Sequence, residues 1–177
     1  MQRSCLFLLI STLVASFPAS ANESLFLQVP AIVHPSAPIP GAVRRDCAIE
    51  ELVGKHALTG IGERDFSVQA VSAPEQAGDG TLVQLTILYV DAFGGGGLTG
   101  EKTMTIRADI KKGGVTLGST VIKRWSKGGI FGSVSGTCTI LERVAVRLGK
   151  DVATWLSNGS AARLAAPSAE QVPVTEK

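Results

Sequence analysis

The sequence is short of aromatic side chains, of histidine and of any excess of one charge. Phe, Trp and Tyr make up 5% of 177 residues, histidine occurs twice, and 17 Lys plus Arg against 15 Asp plus Glu leave a formal charge of +2. So small an imbalance excludes nucleic-acid or membrane binding driven by net charge and leaves any electrostatic function to local clusters. Cysteine is scarce as well, with three in the chain, which excludes a disulfide-dense miniprotein. No apolar run reaches the roughly 18 residues that suggest a membrane-spanning helix. What remains, 45% apolar and 18% charged side chains, is the composition of a single globular domain.

Residues 1–21 have the three parts of a secretory signal. Arg3 is the positive end, Cys5–Phe17 is an apolar run of 13 residues, and Ala19-Ser20-Ala21 places small residues before the cut. At helical rise that run spans about 20 Å, short of the roughly 30 Å hydrocarbon core, so a membrane anchor is disfavoured. No cysteine follows the cut, which disfavours lipid attachment. The expected product starts at Asn22, is exported to the periplasm, has no transmembrane span, and carries Cys47 and Cys138 into an oxidising compartment. One disulfide between them is expected; two buried free thiols are the other reading. With His34 and His56 these cysteines form no C-x-x-C or H-x-x-x-H spacing, so neither a metal nor a cofactor is expected.

Residues 22–42 form an extended, proline-rich leader in which Ser24–Val29 can be a strand, while Pro30, Pro35, Pro38 and Pro40 exclude ordinary central-ladder positions. It is expected to run over the surface. Residues 43–157 form the domain. Val43–Ala57 has apolar residues at helical spacing and is expected to stop at Gly60 and Gly62. Four strand-like segments follow. Phe66–Val71 alternates, and Thr81–Val90 places Val83, Leu85, Ile87 and Tyr89 on one face and Leu82, Gln84, Thr86, Leu88 and Val90 on the other, as a central strand does. Lys102–Ile110 puts Met104, Ile106, Ala108 and Ile110 opposite Thr103, Thr105, Arg107 and Asp109. Val115–Trp125 returns with Val115, Leu117 and Val121 in phase after a Lys111-Lys112-Gly113-Gly114 turn. An amphipathic helix, Thr137–Ser157, presents Leu141, Val144 or Ala145, Leu148, Val152 and Trp155 to a core. Asn158-Gly159 is expected to end it, leaving 158–177 as a disordered tail. The expected fold is α+β: an antiparallel sheet of about four to five strands with two helices packed on one face, the two cysteines stapling the helices together.

Chemical motifs are thin. Gly94–Thr103 approaches a phosphate-binding loop, but Glu101 separates glycine from Lys102 and a strand pattern follows where a helix is required. His34 lies among prolines and His56 at a helix end, with no G-x-S-x-G elbow for a nucleophile. Glu50 and Glu51, adjacent on a helix, diverge by about 100°. No catalytic residue is assigned and no enzyme activity is expected. The local charge feature is the second hairpin, where Lys102, Arg107, Lys111, Lys112, Lys123, Arg124 and Lys127 stand against Asp109 alone, with Trp125 and Phe131 beside them. That set is a candidate patch for an anionic envelope ligand. The reading we favour is that lysines on an edge hairpin guard against strand-to-strand aggregation.

The run Ser135-Gly136-Thr137-Cys138-Thr139-Ile140-Leu141-Glu142-Arg143, followed by Lys150-Asp151 and Trp155-Leu156, resembles small uncharacterised exported proteins of proteobacteria. The order of long strand, glycine-containing loop, hairpin and amphipathic helix resembles the small α+β domains of envelope proteins, including the N-terminal domain of TolB. The resemblance implies an envelope setting and carries no site residue with it. The resulting expectation is a non-enzymatic periplasmic protein that binds a protein or anionic envelope component through a sheet edge or the glycine-rich loop. The alternative is a periplasmic hydrolase or enzyme inhibitor, which predicts a deep cleft or a rigid protruding loop.

Overall fold

The computed structural model describes residues 25–64, 66–92, 101–127 and 136–164, with side chains described as far as residue 159. The signal segment 1–21, the glycines Gly94–Gly97, Phe131 and the end of the tail lie outside the described residues. Six strands make one sheet: β1 Leu25–Gln28, β2 Ile32–Val33, β3 Val68–Val71, β4 Thr81–Asp91, β5 Lys102–Lys112 and β6 Val115–Ser126. Their order is β3-β1-β4-β5-β6, with β2 paired to β4 beyond the end of β1. Among the described residues three α-helices accompany them: α1 Gly41–Asp46, α2 Ile49–Gly62 and α3 Thr137–Leu164.

The sheet is mixed, not purely antiparallel as expected. β1 pairs in parallel with both β3 and β4, and β2 in parallel with β4, while β4, β5 and β6 are antiparallel. The cause lies in the proline-rich leader. Leu25 and Leu27 alternate into the core, at 7% and 0% exposure, so β1 sits inside the sheet rather than on the surface. The chain then passes through α2 before returning as β3, the helical crossover that a parallel pair requires. Prolines still punctuate this stretch: β1 ends before Pro30 and β2 before Pro35. Backbone bonds from His34 N–H to Ile87 C=O and from Val90 N–H to Pro38 C=O tie the segment to β4.

The expected single helix Val43–Ala57 is two. Ala48 has φ 42 and ψ 51, the left-handed region, and turns the chain between α1 and α2. An L-residue there costs about 1–2 kcal/mol, so Ala48→Gly is expected to raise stability by about 0.5–1 kcal/mol in urea unfolding; a loss of stability would refute the strain. Cys47 caps α1 and is bonded to Cys138 in the first turn of α3. Gly60 does not stop α2, which runs past it and ends at Gly62. Gly60 serves packing: a Cβ there would lie 2.8 Å from the backbone C and O of Gly149 on α3. Likewise α3 continues through Asn158-Gly159 to Leu164.

α2 and α3 cover one face of the sheet. Val53 and Ile61 of α2, with Leu141, Val144, Leu148 and Val152 of α3, are buried against Val83, Leu85 and Ile87 of β4 and Met104, Ile106, Ala108 and Ile110 of β5. The inward residues of β5 are those the periodicity picks out, as are Leu141, Val144, Ala145, Leu148 and Val152 of α3, while beyond them Ala153 and Leu156 are buried and Trp155 only partly so. β4 departs from expectation because its register against β5 shifts between Ile87 and Tyr89. The extra residue, Leu88, reverses the alternation, so Val90 joins the core and Tyr89 turns to the other face. A second shift in the β5 and β6 pairing, at Ile110 and Lys111, leaves Leu117 packed on the core, while Val121 points away at 60% exposure.

Candidate functional site

The second face of the sheet carries no α-helix among the described residues. At one end a short 3-10 helix, Pro74–Ala77, crosses it and buries Ala77 against Val71, Leu82 and Phe26. The rest is laid out by the ladder register. Asp91, Thr103 and Trp125 form one cross-strand row; Tyr89, Thr105 and Lys123 the next; then Thr86, Arg107 and Val121 with Ile32 beside Thr86; then Gln84, Asp109 and Ser119. Rows of this kind set side chains about 5 Å apart across strands. Exposed apolar groups mark the face: Val121 at 60%, Trp125 at 46%, Tyr89 at 38% and Ile32 at 36%.

Its polar centre is internally bonded. The Arg107 Nε donates to Asp109 Oδ2 at 3.0 Å, and the Ser119 hydroxyl donates to Asp109 Oδ1 at 2.6 Å. Asp109, 6% exposed, is thus held at both oxygens. Lys111 donates to Gln84 Oε1 at 2.6 Å, and Gln84 Nε2 donates to Gln28 Oε1 at 2.6 Å. Lys127 stands over the Trp125 ring, 5.5 Å from its centroid, within cation–π range.

The eight residues of the basic hairpin do not share a face. Arg107, Lys111, Lys123 and Trp125 lie on the side opposite the α-helices, with Lys127 joining through the Trp125 ring. Lys102 is in phase with Met104 on the helix side, 1% exposed, its Nζ donating to Ala92 C=O at 3.1 Å. Arg124 also faces the helices. Its Nε and Nη2 donate to Asp151 Oδ2 and Oδ1 of α3 at 2.5 and 2.8 Å, and that hydrogen bonding, with the attraction of the carboxylate, holds the guanidinium above its ordinary pKa. Lys112 is exposed at the hairpin end, opposite Val115. Sequence reasoning missed Gln28 and Gln84. The polar alternation of Gln84 and Thr86 within an apolar strand was the available signal.

The histidines are apart: His34 Nδ1 bonds the Ser36 hydroxyl at 2.9 Å, and His56 Nε2 lies 3.4 Å from Glu142 Oε1 without the alignment of a hydrogen bond. Among the described residues no group of three or more His, Cys, Asp or Glu side chains is placed to hold a metal ion, and no helix is long and apolar enough to cross a membrane.

No family model matches the sequence, and neither does any curated protein sequence. Several solved structures are similar to it. A Xanthomonas campestris protein of family DUF330 is 11% identical with a TM-score of 0.50, covering 86% of this chain and 95% of its own. A PelC dodecamer from Paraburkholderia phytofirmans is 14% identical with a TM-score of 0.44, covering 77% and 93%. A minor lipoprotein from Acinetobacter baumannii is 10% identical with a TM-score of 0.44, covering 79% and 94%. At 11% identity the likeness to the Xanthomonas campestris protein is one of fold alone, and the TolB-like domain expected from the element order is not confirmed by it.

Proposed function

We propose that this chain is a non-enzymatic binding module of the Gram-negative periplasm that engages an envelope protein or anionic envelope component through the face of its sheet opposite the α-helices. The observation that carries the reading is the grouping of the exposed side chains Trp125, Val121 and Tyr89 with the exposed Lys123 and Lys127 on one face, apolar surface and cations together. An exposed apolar cluster with a polar surround is the usual form of an interaction site. β6, twelve residues long and at the sheet edge, offers a partner strand its main-chain groups beside that face. Export is supported by the signal pattern of residues 1–21 and by the Cys47–Cys138 disulfide.

Two measurements test the reading. Protein recovered from the periplasm is expected to lack residues 1–21 and to resist alkylation at both Cys47 and Cys138 without reduction; a retained signal or free thiols would remove the compartment argument. Tagged protein is expected to enrich one envelope component, and Trp125→Ala with Lys123→Glu to weaken that capture at least 10-fold, as loss of a central aromatic contact does. Equal capture by the variant, or none by the wild type, overturns the site.

A further inference from the structure

At the end of this face away from Trp125 lies a pocket of about 310 Å³ between the 3-10 helix and the β5–β6 turn. One wall is apolar, formed by Leu82 and Ala77; Gly78, Gly80, Gly113 and Gly114 bring bare backbone to the rim; Gln84 and Lys111 supply polar groups. The volume suits a small molecule, at the low end of ordinary ligand sites.

The charge balance inside it is uneven. Lys111 is half-buried, and its ammonium is bonded to a neutral acceptor, Gln84 Oε1, which is held in place by the bond from its own amide to Gln28. The carboxylate two residues away, Asp109, is already occupied by Arg107 and Ser119. Glu75 lines the pocket, yet among the described residues no carboxylate lies within ion-pair distance of Lys111. A partly desolvated cation without a counter-charge favours an anion at the remaining ammonium protons. Glu75 nearby penalises a doubly charged phosphate more than a singly charged acid, and the Leu82 and Ala77 wall rewards a short apolar tail.

We infer that this pocket binds a small monocarboxylate, its carboxylate on the Lys111 ammonium and its apolar tail on Leu82 and Ala77. The acid can be free or the C-terminal end of a peptide; the chemistry is shared. The inference does not depend on the Trp125 end of the face or on a macromolecular partner.

Titrations of the oxidised full domain followed by amide NMR test it, with butyrate as the free acid, N-acetyl-leucine as the peptide C-terminus and inorganic phosphate as the competing anion. Saturable shifts confined to Gly78, Gly80, Gly113, Gly114 and the Gln84 side-chain amide are expected with one or both carboxylates, the tighter one identifying the source. Lys111→Met is expected to weaken binding at least 10-fold and Glu75→Gln to strengthen it several-fold. If Lys111→Met loses the native spectrum, Lys111→Gln and the Glu75→Gln effect decide. Linear, unsaturable shifts, shifts unaltered by both Lys111 variants, or equal binding of phosphate overturn the site.

Discussion

Replacing Cys47 and Cys138 together with alanine is expected to lower stability by about 4–5 kcal/mol. The disulfide joins positions 91 residues apart in sequence, and closing so long a loop removes much of the freedom of the unfolded chain. The bond also joins the chain between α1 and α2 to the start of α3, the point where two elements distant in sequence converge on the sheet. A loss of this size is comparable with the whole stability of an ordinary domain, so the variant is expected to be partly unfolded at 37 °C. Urea unfolding of oxidised wild type, reduced wild type and the double variant checks it. Reduced protein and variant should coincide, and a separation from the oxidised form below about 1 kcal/mol would show that the unfolded chain is already compact.

Gly149→Ala is expected to cost about 2 kcal/mol, and Gly149→Val more, although alanine is favoured over glycine inside a helix by about 1 kcal/mol. A Cβ at Gly149 would collide with the carbonyl oxygen of His56 and lie 2.7 Å from its carbon. These are backbone atoms of α2, so no side chain can swing aside; the helices must separate, and Leu148, Val152 and Ile61, each at most 1% exposed, would lose contact. Gly60 faces the same crossing from α2. The two alanine substitutions should therefore be less than additive in a double-mutant cycle, since the first displacement makes room for the second. Gly62→Ala is the control: nothing lies within 4 Å of its Cβ position, and it should be neutral or slightly stabilising. A stabilising Gly149→Ala would show that the crossing yields freely.

Much of the candidate site was legible in residue order, and the parts that were not have definite physical reasons. The alternation in β5 placed Arg107 on the wet side correctly because pairing on both sides holds the strand in register. The same reasoning misassigned Tyr89 and Val90, since a one-residue bulge reverses every side chain after it and leaves no local mark. Lys102 was counted with the surface cations because lysine is rarely buried, yet its position two residues before Met104 puts it on the core face. Arg124 was counted for charge alone, while its partner Asp151 lies 27 residues away in sequence.

By itself the sequence determined which residues are apolar at periods of two and 3.6, and hence the inward faces of β5 and α3, the β5–β6 turn at Gly113-Gly114, where φ is 54 and 81, and the two cysteines available to pair. Those features depend on neighbours a few residues apart. Tertiary structure alone decided that β1 lies inside a mixed sheet, that Gly60 is packed against Gly149 at a helix crossing rather than ending its helix, and that the cations of one hairpin divide between two faces. Each of those is a contact between segments far apart in the chain, and its energy comes from packing and partner charges that no local pattern encodes.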